Sequence, residues 1–230
     1  DLTKDDIGAI RVQETQSFVQ IREPRVAAFL EALGPEMTLE SGAVITRLAE
    51  EPDFPLLHSM AADGGWNTWT RAQVADLAAK AAAGFGADGV EPGERVLLMM
   101  RNRPDFHWLD LAAQFVRATP VSIYNSSSPE EIEYLAGHAE ARIAIVEDDG
   151  FLQRMLKVRG ELPHLEKIYV LEPPEGDLPE GVQPASDLLA HDPADLDGLA
   201  DAGVPEDLAT LIYTSGTTGP PKGVMISQYN

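Results

Sequence analysis

Short apolar runs alternate along the chain with longer stretches whose apolar residues recur every three or four positions. That alternation predicts strands and helices in turn. Val96–Met100 reads as a buried strand, and Pro104 opens a helix through Phe106, Leu109, Leu111 and Phe115. Pro120–Tyr124 is a second predicted strand. Ser128-Pro129-Glu130-Glu131 then starts a helix: Ser at the cap, Pro at the first helical position, Glu three residues on. Ile132, Leu135 and Ala136 line it. A strand at Ile143–Val146, a helix over 149–158 and a strand at Lys167–Leu171 continue the series. Strand runs this continuously apolar must be covered on both sides. The pattern therefore predicts an α/β fold, a mostly parallel sheet with helices on both faces.

The flanking segments read differently. Residues 1–65 form an extension with the first helices, one of them predicted at Arg25–Leu33. Trp66–Trp69 predicts a short strand. Thr70 caps the next helix, with Gln73 in the capping-box position, and the helix is expected to end in the glycines at 84, 86 and 89. Residues 66–171 make up the α/β unit. Residues 172–207 hold eleven acidic residues, six prolines and no Lys or Arg, which predicts a mostly solvated connector with a short helix at Asp187–Leu189. Residues 208–230 supply a strand at Leu208–Tyr213, a glycine-rich turn and a further apolar run at Val224–Ile226.

Composition narrows the function. The net charge of −21 leaves no broad basic face for nucleic acid or an anionic membrane surface. The absence of cysteine excludes disulfides, thiolate metal sites and a Cys nucleophile, and makes the cytoplasm the default compartment. No apolar run approaches the length of a membrane span. The five His residues (58, 107, 138, 164, 191) show no metal-ligand spacing and read as surface or partly buried. Trp66, Trp69 and Trp108 read as core or contact residues, and Glu130-Glu131 as the first turn of a helix.

Two glycine motifs stand out. Gly84-Phe85-Gly86-Ala87-Asp88-Gly89 fits the dinucleotide pattern, but it follows a helix and precedes a strand. That polarity is backwards for a pyrophosphate site, so the motif reads as a helix end and turn. The second string, Tyr213-Thr214-Ser215-Gly216-Thr217-Thr218-Gly219-Pro220-Pro221-Lys222-Gly223, leaves a strand. Its glycines let backbone N–H groups approach a ligand closely, its hydroxyls donate to phosphate oxygens, and the Lys222 ammonium neutralises charge. It is not a Walker A loop, because the position of that pattern's second glycine falls on Pro221 and a strand follows in place of a helix.

This second string resembles the phosphate-binding loop of the acyl-adenylate-forming superfamily, which includes acyl-CoA synthetases, peptide-synthetase adenylation domains and luciferases. Val90–Val96, Asn102–Phe106 and Ser127–Tyr134 resemble further strings of the same family, so the likeness covers about residues 66–230. The Tyr124-to-Pro129 stretch is most similar to long-chain fatty acyl-CoA synthetases.

The resemblance implies a two-step reaction. A carboxylic acid, here a fatty acid, attacks the α-phosphate of ATP to give an acyl-adenylate and pyrophosphate. Coenzyme A then displaces AMP. Thr214, Ser215, Gly216, Thr217, Thr218, Gly219 and Lys222 take the role of gripping the β- and γ-phosphates, with Mg²⁺ bridging phosphate oxygens. A lipid substrate also allows peripheral association with a membrane.

Two departures stand against the family pattern. Ser227-Gln228-Tyr229-Asn230 replaces a Ser/Thr-His-x-Asn string near the acyl site, so Gln228 is a neighbour of that site that cannot titrate. Arg117-Ala118-Thr119 replaces Gly-Ala-Val, which implies an exposed or repacked helix end.

The family's adenine, ribose and Mg²⁺ strings and its C-terminal lysine are expected beyond Asn230. The chain thus reads as an N-terminal part of such an enzyme, inactive alone, with a sheet edge open to a second copy. Two alternatives remain at this point. One is an adenylate-former that loads a carrier-protein thiol. The other is a nucleotide-binding or interaction module without catalysis.

Overall fold

A computed structural model describes residues 7–12, 17–21, 29, 31, 52–214 and 220–229. The chain divides into two compact units, Asp1–Pro52 and Asp53–Asn230. In the first, β1 (Ile7–Val12) and β2 (Ser17–Ile21) form an antiparallel pair. The helix expected at Arg25–Leu33 lies outside the described residues except at positions 29 and 31, which are helical.

The second unit opens with an antiparallel hairpin, β3 (Pro55–Met60) and β4 (Trp66–Thr70). The βα series follows as α1 (Arg71–Ala87), β5 (Arg95–Met99), α2 (Pro104–Phe115), β6 (Thr119–Ser122), α3 (Pro129–His138), β7 (Ile143–Val146), α4 (Asp149–Val158) and β8 (Lys167–Val170). After these come β9 (Val182–Pro184), α5 (Ala185–Leu188), α6 (Leu196–Ala202), β10 (Leu208–Thr214) and β11 (Lys222–Ser227). Seven strands form one sheet in the order β11-β10-β6-β5-β7-β8-β9. Every pairing in it is parallel except β10 with β11.

Strand alternation divides the core in two. Leu97 and Met99 of β5, Ala144 and Val146 of β7, and Ile168 and Val170 of β8 point to one face. They pack there with Ile132 and Leu135 of α3 and with Phe151, Leu152 and Met155 of α4. Val96 and Leu98, Ile143 and Ile145, and Tyr169 point to the other face, against Val74, Phe85, Leu109 and Ala112 of α1 and α2. Burying such a side chain fully contributes about 1.5–3 kcal/mol, and here both faces of each strand contribute. The predicted parallel sheet with helices on both faces is therefore present.

Both predicted capping boxes form, at Thr70 with Gln73 and at Ser128 with Glu131. The expected end of α1 is corrected. Gly84 and Gly86 lie inside the helix, and the turn comes only at Gly89, where φ is +69°. Gly84 serves packing: a Cβ there would lie 2.6 Å from the Leu188 carbonyl oxygen and 2.7 Å from Leu188 Cδ1.

Residues 172–207 also differ from the predicted connector. Val182 extends the sheet beside β8, and Ala185 and Leu188 are buried against α1 and α2. Acidic residues dominate that segment's composition, but its few apolar ones suffice to seat a strand and a helix.

Candidate nucleotide-binding site

The sheet fixes where the hydroxyl- and glycine-rich string sits. Leu211 of β10 lies opposite Val121 of β6 in parallel register, and the Thr210 hydroxyl donates to the Pro120 carbonyl at 3.1 Å. β10 therefore ends at the same sheet edge as β6 and β5, the carboxyl edge at which open α/β sheets bind ligands. Thr214 is the last residue of β10 and Lys222 the first of β11, and they face each other as a cross-strand pair. Both are exposed. No ion pair engages Lys222 among the described residues. Ser215, Gly216, Thr217, Thr218 and Gly219 lie outside the described residues. A strand follows the loop, so any phosphate there must be held by loop amides, hydroxyls and the ammonium, without a helix N-terminus.

Beneath the two flanks lies a cluster that sequence reasoning missed. The Tyr134 hydroxyl donates to the Pro221 carbonyl at 2.8 Å. The Tyr213 hydroxyl lies 2.8 Å from His138 Nδ1. His138 stacks on Tyr134 at 5.6 Å and meets Tyr213 edge-on at 5.6 Å. Tyr213 itself is buried, which pushes its hydroxyl above the ordinary tyrosine value and keeps it protonated and able to donate. Its ring lies across Gly223, where a Cβ would come within 3.4 Å of Tyr213 Cζ. The available signal was the spacing of Tyr134 and His138, one helical turn apart on α3.

Gln228 sits elsewhere. Leu208 pairs with Ser227, so Gln228 lies at the end of the hairpin away from Thr214 and Lys222. Six residue steps of extended strand separate it from Lys222, on the order of 20 Å. Its amide Nε2 donates to Gln114 Oε1 at 3.0 Å, and its backbone N–H donates to the Asp207 carbonyl at 2.9 Å. It borders a cleft of about 610 Å³ lined also by Leu111, Phe115, Leu199 and Tyr229. Arg117 closes one side of that cleft, with its guanidinium on both oxygens of Asp207 at 2.7 and 3.0 Å. The expected repacked helix end is thus an ion pair that ties α2 to the start of β10.

Residues 45–230 match the family profile described as AMP-binding enzyme. The chain belongs to that family. The glycines at 84–89 belong to the end of α1 and the turn after it, and the string at 213–223 begins on β10 and ends on β11. The chain is 33% identical over 182 residues to the long-chain-fatty-acid–CoA ligase FadD15 of Mycobacterium bovis, which covers 79% of this chain and 30% of the ligase. It is 35% identical over 171 residues to the long-chain-fatty-acid–CoA ligase ACSBG1 of Bos taurus, covering 73% of this chain and 24% of that one. The chain therefore spans less than a third of the length of these ligases.

Solved structures agree with the fold. The anthranilate CoA ligase AuaEII, in complex with anthranoyl-AMP, superposes with a TM-score of 0.64 at 26% identity, over 79% of this chain and 34% of that one. The acetoacetyl-CoA synthetase of Streptomyces lividans superposes with a TM-score of 0.67 at 24% identity, over 78% of this chain and 29% of that one, a likeness of fold.

Proposed function

We propose that this chain supplies the ATP-phosphate side of a long-chain fatty acyl-CoA ligase. The observation that carries the reading is the pairing of Thr214 with Lys222 across one hairpin at the carboxyl edge of the sheet. It occurs in a member of the AMP-binding enzyme family whose relatives include long-chain-fatty-acid ligases. In the first step a carboxylate oxygen attacks the α-phosphorus of ATP, a P–O bond forms, and pyrophosphate leaves. In the second, the thiol of coenzyme A attacks the acyl carbon and AMP leaves.

The chain's share is to hold the leaving pyrophosphate. Thr214, Ser215, Thr217 and Thr218 offer hydroxyl donors, Gly216 and Gly219 offer close backbone N–H groups, and Lys222 offers positive charge. Each hydrogen bond to a charged phosphate oxygen contributes roughly 1.5–3 kcal/mol, so holding the departing group in line lowers the barrier mainly by position and charge. Mg²⁺ carried by the nucleotide would supply further neutralisation of phosphate charge beside Lys222; among the described residues no group of three or more His, Cys, Asp or Glu could hold a metal ion. The apolar lining of the cleft beside Gln228 supports a neighbouring role for that residue in seating the acyl substrate. No helix among the described residues is long and apolar enough to cross a membrane.

The test is Lys222→Ala in the full-length protein, read by fatty-acid-dependent ATP–pyrophosphate exchange. The Michaelis constant for ATP should rise at least tenfold, the size expected for one lost charged contact. Unchanged ATP kinetics would remove the proposed role of the loop. ATP binding without any exchange in the wild-type protein would favour a non-catalytic nucleotide-binding module.

A further inference from the structure

We propose that α3 positions the phosphate loop by holding both of its flanks: Tyr134 grips the outgoing flank at the Pro221 carbonyl, and His138 grips the incoming flank at the Tyr213 hydroxyl. The inference rests on the reading of this loop as the ATP-phosphate site, and it assigns that site two positioning residues.

Each contact lands one residue from a group that faces the ligand. Tyr213 precedes Thr214, and Pro221 precedes Lys222. The two contacts bridge sequence separations of 75 and 87 residues, so neither is a local by-product of helix or hairpin geometry. Both arise from a single helix face, because Tyr134 and His138 are one turn apart with their rings stacked.

That helix is itself a fixed base. Its start is held by Pro129 and the capping box at Ser128, and its inner face by buried Ile132, Leu135 and Ala136. On the hairpin side, the buried Tyr213 ring lies over Gly223 of the paired strand and its hydroxyl meets His138 of α3. His138 is exposed as a residue, so its bond adds little to the stability of the whole fold. Its effect falls on the local geometry of Thr214 and Lys222. Backbone amides and an ammonium that must meet phosphate oxygens within about half an ångström need such support.

The Tyr213 hydroxyl and His138 Nδ1 share one hydrogen bond at 2.8 Å, so the ring holds the incoming flank through a single polar atom. Asn at position 138 can place Oδ1 where Nδ1 stood, whereas Ala cannot accept at all. This gives a rescue that a purely space-filling role would not show.

The experiment compares Tyr134→Phe, His138→Ala, His138→Asn and Lys222→Ala in the full-length protein, by fatty-acid-dependent ATP–pyrophosphate exchange and by melting midpoint. Tyr134→Phe and His138→Ala should each raise the Michaelis constant for ATP about 3- to 10-fold, leaving that for the fatty acid and the melting midpoint unchanged. His138→Asn should recover most of the loss. If Lys222→Ala impairs ATP use while Tyr134→Phe and His138→Ala stay within about twofold of wild type, the bracing role is wrong and the loop reading stands. If Lys222→Ala is itself silent, the loop reading fails and the positioning role goes with it. A fall in melting midpoint with equal loss for both substrates would make the cluster structural and overturn the proposal. Tyr134→Phe removes only one oxygen atom, so it remains informative if His138→Ala does not fold.

Discussion

Arg117 occupies backbone that glycine would take more easily. Its φ is +60°, in the left-handed region where a side chain is strained. The guanidinium offsets the strain by binding both carboxylate oxygens of Asp207, while the Arg117 carbonyl accepts from the Gly93 N–H at 2.8 Å. Arg117→Gly relieves the backbone and loses the pair. Arg117→Ala keeps the strain and loses the pair, so stability in urea should rank wild type above, or level with, the Gly variant and the Ala variant last. The hydrogen bond from Arg117 holds the Asp207 carboxyl below the usual carboxylate range. The sign follows: the pair's contribution is complete above the unfolded carboxylate range and is lost as pH falls through the folded value. Below that range the pair is lost while the strain of a side chain at φ +60° remains, so Arg117→Gly should become the more stable of the two in urea. At this scale the loop was legible because its chemistry is contiguous in sequence. Tyr134 and His138 were not, since a hydroxyl reaching a carbonyl 87 residues away leaves no local pattern.

Among the elements, α3 shows how far sequence pattern reaches. Ser128, Pro129 and Glu131 announce its start, and the capping box forms as those residues require. Ser128→Ala should cost about 1 kcal/mol. In a chain of this size that is a fall of roughly 2–4 °C in melting midpoint, readable by calorimetry. β7 and α4 begin and end where the apolar pattern predicts, because each strand is buried on both faces and each helix on one. β9 and α6 were illegible for the opposite reason. Their apolar residues are few and are set among eleven acids, so composition outweighed pattern. The pairing of Val182 with β8 and the packing of Leu188 against Gly84 reveal that the segment belongs to the core.

Across the whole molecule, the chain leaves the sheet at β9 on one edge and re-enters it at β10 beside β6, near the opposite edge. The crossing runs over α1, where the Ala194 N–H donates to the Ala79 carbonyl at 3.1 Å. The hairpin that carries Thr214 and Lys222 is thus joined to the sheet by residues about 90 positions away in sequence: Leu211 to Val121, Thr210 to Pro120, Asp207 to Arg117. Val224 and Met225 on β11 are exposed. An edge hairpin with exposed apolar positions is expected to open locally at a lower free energy than the strands buried on both faces. In the full-length protein, amide hydrogens of β10 and β11 should exchange faster than those of β5 and β7, as measured by mass spectrometry. Saturating ATP should slow β10 and β11 selectively, by the factor one plus ligand concentration over dissociation constant. On the proposed reading of the loop, nucleotide binding and the pairing of this hairpin with β6 are two readings of a single equilibrium.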